Sequence, residues 1–147
     1  MPARFSASRL RPMEPESKSR RHQLAERRGR RSELLAMLLL LLKGYRIVGR
    51  RVRTHAGEID LIAHSPRGIL CFIEVKAREA HRDAQEALLP RQQERISRAA
   101  EVFLAQQRRL VSKGVRFDTI VVSARRWPVH VRDAWRPRPS WGSVRAR

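Results

Sequence analysis

Three side chains between Gly57 and Arg78 (GEIDLIAHSPRGILCFIEVKAR) are of types and spacing that do chemistry: Asp60, Glu74 and Lys76. If the two acids converge, the arrangement is costly by itself. Like charges about 4 Å apart repel by roughly 4 kcal/mol at an effective dielectric near 20. Lys76 offsets part of that cost, and a divalent cation offsets it fully. Carboxylates and a backbone carbonyl are hard oxygen donors, which suit Mg²⁺ or Mn²⁺ rather than zinc. Glu-x-Lys alone reads equally well as a solvated pair on an exposed strand. The acid fourteen residues upstream, on the preceding strand, tips the reading toward a metal site.

The elements that must position these residues follow from the pattern. Residues 58–63 and 69–75 read as two apolar strands, and His64-Ser65-Pro66-Arg67-Gly68 between them is dense in turn formers, so an antiparallel hairpin is expected. Residues two apart on a strand share a face. Glu58 and Asp60 are therefore expected on one side, with Ile59 and Leu61 on the other. Glu74 and Lys76 are expected together, opposite Ile73 and Val75. Residues 45–53 (YRIVGRRVR) precede the hairpin as a first strand; Arg50, Arg51 and Arg53 there are either phosphate contacts or a solvated edge.

A helix is expected from about Gly29–Ser32 to Lys43, stopped by Gly44. Ser32 as N-cap would put Glu33 in the first turn, where the helix dipole favours a carboxylate. Because residues 34–42 (LLAMLLLLL) are apolar all round, the helix is expected to be buried on most sides, and Glu33 could equally face the sheet and a metal. A polar linker spans 79–86. A second helix starts near Pro90 and runs to about Arg109, with Leu89, Ile96, Ala99, Ala100, Phe103 and Leu104 as its apolar stripe. Gln92 lies on that stripe, so it bonds either local backbone or the carboxylate face of the sheet. Residues 115–124 read as a long interior strand, where Asp118 suits a structural ion pair better than a ligand. Residues 128–133 read as a short edge strand. Trp135 and Trp141, set among arginines, either stack on bases or cover an apolar edge.

The chain has 147 residues, enough for one domain with a proper core. Its net charge of +19 is uneven: residues 1–31 hold ten Lys/Arg against three acids, and residues 125–147 hold seven against one. An excess of that size implies a polyanionic partner, with nucleic acid the first candidate. Nearly all the basic residues are arginine, and a compositional habit would also produce that. Residues 1–28 form a basic arm expected to be disordered or loosely helical, residues 29–135 the folded domain, and residues 136–147 a basic tail. The single Cys71, inside an apolar strand, permits no internal disulfide and fits a reducing, cytoplasmic setting. Residues 34–42 are too few to span a bilayer, which takes about 20. No Gly-rich phosphate loop, zinc cluster or repeat is present.

GEIDLIA, an apolar strand ending FIEVKAR, and RFD on a later strand together resemble the YraN family of bacterial predicted endonucleases; the Glu33 helix and GYRIV match too. The resemblance covers about Gly29 to Trp135. It implies the PD-(D/E)XK nuclease superfamily, which includes archaeal Holliday-junction resolvases, and hence an α/β fold. The expected core is restriction-endonuclease-like, a mixed and mostly antiparallel sheet of about five strands flanked by two helices, in the order α-β-β-β-α-β-β. By the resemblance, Asp60 and Glu74 are the acids of the motif and Lys76 its lysine, with Glu33 the acid of the first helix. Gln92 stands where the family commonly has lysine. Asp60, Glu74 and the Val75 carbonyl would hold Mg²⁺ or Mn²⁺ for phosphodiester hydrolysis, in DNA rather than RNA. By analogy with the resolvases the protein would be a homodimer. The rival expectations are a nucleic-acid-binding protein without turnover and an interaction module docking through its basic tails.

Overall fold

The computed structural model describes residues 16–78, 90–111 and 113–137. The elements run α1 (Glu16–Leu42), β1 (Arg46–Thr54), β2 (Gly57–His64), β3 (Leu70–Arg78), α2 (Pro90–Gln106), a 3₁₀ turn (Arg108–Leu110), β4 (Val115–Ser123) and β5 (Arg126–Trp135). This is the α-β-β-β-α-β-β order expected from sequence. The strands form one sheet in the order β1-β2-β3-β4-β5. β1–β2, β2–β3 and β4–β5 pair antiparallel, and β3–β4 pair parallel. A parallel pair needs a crossover, and the segment containing α2 supplies it.

Each face of the sheet has its own core. Ile96, Ala99, Ala100 and Leu104 of α2 pack on Ile59, Ile62, Leu70, Phe72, Phe117 and Trp135. Ala36 and Leu40 of α1 pack on Leu61, Ala63, Cys71, Ile73, Ile120 and Val122 across the opposite face. The result is a helix–sheet–helix sandwich.

Five sequence expectations change. Helix α1 begins at Glu16, not near Gly29–Ser32, so Ser32 lies inside the helix and is buried instead of capping it. The leucine run is not enclosed on most sides: Leu34, Leu35, Leu38, Leu41 and Leu42 are 45–69% exposed, because only the Ala36–Leu40 face meets the sheet. Ile59 and Leu61 do not share a face, since Ile59 packs under α2 and Leu61 under α1. Helix α2 stops at Gln106, and the Arg108–Leu110 turn follows it. Strand β5 is longer than expected but is the edge, and β4 is interior. The 79–86 linker, Leu89, Trp141 and residues 1–15 and 138–147 of the two tails lie outside the described residues.

Candidate metal centre

The β2–β3 ladder pairs Leu61 with Ile73 and goes no further toward Asp60 and Glu74. At that point the Asp60 side chain takes over: its Oδ2 accepts a hydrogen bond from the Val75 backbone N–H at 2.8 Å. The break in face alternation between Ile59 and Leu61 is centred on this same residue. The end of the ladder thus turns the Asp60 carboxylate onto β3, where it faces the Glu74 carboxyl and feels its charge. Glu74 and Lys76 do share a face, with Lys76 Nζ 2.9 Å from Glu74 Oε1. Val75, on the other face, packs against the α1-side core with Ile73, as alternation requires.

Burial and the facing Glu74 charge push Asp60 up to about 7, with Glu33 adding to the rise and the Val75 N–H opposing it. The upward shift of Asp60 is the behaviour of like charges with no cation between them. That fits a hard divalent ion, which would replace the proton. Among the described residues no group of three His, Cys, Asp or Glu side chains is placed to hold a metal ion. The protein donors present are two carboxylates with the neighbouring main chain, and water would complete the coordination.

Glu33 is buried on α1, on the side that faces the sheet. It pairs with Arg51 Nε at 3.3 Å, and Arg51 also lies 3.6 Å from Glu58. Arg51 holds a left-handed backbone (φ 46°), which costs a non-glycine residue roughly 1–2 kcal/mol. From sequence Arg51 reads as either a phosphate contact or a solvated edge; its pairing with a helix residue appears only in the tertiary structure. Gln92 sits half-buried in the first turn of α2, and among the described residues no hydrogen bond joins it to the carboxylates. Thr119, paired in register with Glu74, has a buried hydroxyl that finds no hydrogen-bond partner among the described residues.

Asp118 belongs to a different cluster. Fully buried, it accepts from Arg116 Nε (2.7 Å), Arg116 Nη2 (2.8 Å) and the Asp133 backbone N–H (2.9 Å), and lies 2.8 Å from His130 Nε2. Arg116 also donates to the Tyr45 hydroxyl at 2.9 Å. Burial alone would raise the Asp118 pKa, but the bonds from His130, Arg116 and Asp133 outweigh it and hold the carboxyl below its ordinary range. This is the structural ion pair expected of it. Cys71 is an inert core thiol: burial, reinforced by the Asp118 charge, pushes it up to about 12.

A mixed five-stranded sheet with one helix on each face, in the order α-β-β-β-α-β-β, is an α/β fold with a nuclease-like core. A model of the uncharacterised protein family UPF0102 matches residues 32–122, and the chain belongs to that family, which is the YraN family of the sequence resemblance. A UPF0102 protein of Parvibaculum lavamentivorans is 47% identical over 136 residues, covering 92% of this chain and 98% of its own. Relatives from Paramagnetospirillum magneticum (80% of this chain, 94% of the relative) and Brucella canis (71% and 82%) are each 48% identical.

Proposed function

We propose that this protein is a Mg²⁺- or Mn²⁺-dependent nuclease that hydrolyses phosphodiester bonds in DNA, branched or recombination intermediates included, in the cytoplasm. The observation that carries the reading is the approach of two half-buried carboxyls, Asp60 and Glu74, with the Lys76 ammonium 2.9 Å from one of them. Asp60, Glu74 and the Val75 carbonyl would hold the ion, which when bound acidifies a water and neutralises charge on the phosphate. Glu74 holds Lys76 in place, so its ammonium is already oriented when negative charge builds on the phosphoryl oxygens. Glu33, fixed by Arg51, would hold a metal-bound water at the α1 side of the site. Gln92 would position water or phosphate from the start of α2.

Cleavage of branched and single-stranded DNA in Mn²⁺ tests this. Lys76→Ala is expected to lower the rate about 10²–10³-fold, the usual cost of removing one fixed transition-state donor; wild-type activity in that variant would take the lysine out of the mechanism. Thermal stabilisation by Mn²⁺ should vanish in Asp60→Asn. A second reading, nucleic-acid binding without turnover, is favoured by one observation: Gln92 stands where the family commonly has lysine, and among the described residues no hydrogen bond joins it to either carboxylate. It predicts salt-sensitive binding indifferent to Asp60 and Glu74.

A further inference from the structure

Helix α1 continues well past the domain it helps to build. Its burial ends at Ser32 and Glu33; from His22 to Arg31 every residue is exposed except the half-buried Gly29. Residues 16–31 carry seven Lys/Arg against two acids. Arg20, Arg27 and Arg31 fall at seven- and four-residue steps on the side of the helix opposite Ala36 and Leu40, and Arg30 lies on a flank. Like charges three and four residues apart, such as Arg27 with Arg30 and Arg31, disfavour a helix. A helical segment whose described side chains, from His22 to Arg31, are exposed apart from Gly29 is also marginal in water. An anionic ligand running along the arm removes both objections. The family model matches from residue 32, where the arm leaves the body, while the match to the Parvibaculum relative, 136 residues long, extends into the arm.

We propose that residues 16–31 form a rail for the phosphate backbone of a DNA duplex, extending outward from the Glu33 end of the carboxylate site. At 1.5 Å per residue the arm is about 24 Å long, or roughly seven base pairs at 3.4 Å each. The proposal rests on the nucleic-acid reading above, not on turnover.

The test uses the full chain in EDTA and a 30-base-pair duplex, with anisotropy followed from about 50 to 300 mM KCl. In the variant Arg20→Gln/Arg27→Gln/Arg30→Gln/Arg31→Gln, the slope of log affinity against log salt should fall by about 3 to 4, at some 0.9 per lost phosphate contact. Glutamine is a good helix former, so α1 should persist by circular dichroism. Ala25→Pro keeps every charge but breaks the helix, and should weaken binding about 10-fold. An unchanged slope in the first variant, or wild-type affinity in the second, overturns the rail. So does arm-dependent binding to phosphatidylglycerol vesicles that exceeds binding to the duplex. Failure of the nuclease reading shows separately, as Mn²⁺ stabilisation that survives Asp60→Asn.

Discussion

Asp60 is where covalent sequence and site chemistry meet most directly. It replaces a ladder hydrogen bond with a side-chain one, accepting from Val75 N–H, and is forced against Glu74. Its folded pKa, about 7, lies above the ordinary carboxyl value of 3.8. Between those values the folded state holds a proton that the unfolded chain has released, so stability falls as pH rises through that window. The metal-free protein should therefore melt several degrees lower at pH 8 than at pH 5, where one kilocalorie is about 4–8 °C for a small domain. Asp60→Asn should flatten that dependence, and Mn²⁺ should restore the pH 8 loss in wild type only; scanning calorimetry in EDTA and in Mn²⁺ reads all three. Asp118 carries the opposite sign. Held below its ordinary value by His130, Arg116 and Asp133, it contributes stability that is present above about pH 4 and lost on further acidification.

At the scale of elements, α1 does two jobs with two faces. Leu40 is fully buried while Leu38, two residues away, is 49% exposed. Leu40→Ala should cost about 2–5 kcal/mol, the range for a leucine truncated in a packed core. Leu38→Ala should stay near 0.5 kcal/mol, as an exposed position does. Urea denaturation of the two variants checks the assignment, and similar losses would contradict it. The same geometry explains why pattern reading failed here. A run of nine apolar residues has no polar side from which to infer orientation, so periodicity cannot say which leucines the sheet covers. The helix start was misread for a related reason. Arginine is a good helix former, but a basic stretch without apolar spacing gives no periodic signal.

At the scale of the whole molecule, two cores on opposite faces depend on one sheet. Phe117 and Trp135, 5.3 Å apart between centroids, report on the α2 side, while α1 is anchored on the other. Near-ultraviolet and far-ultraviolet dichroism should therefore give coincident unfolding transitions. Separate midpoints would show that one face melts alone.

Local chemistry along the chain fixed the order of the strands and helices, the turn at Ser65–Gly68 and the pairing of Glu74 with Lys76, because alternation and turn formers act over a few residues. The contact of Asp60 with Glu74, the hold of Arg51 on Glu33 and the network around Asp118 were decided only by the folded chain. Each joins residues from different elements, and each depends on where a strand pair parts or a helix crosses the sheet. No spacing in a single sequence encodes that distance.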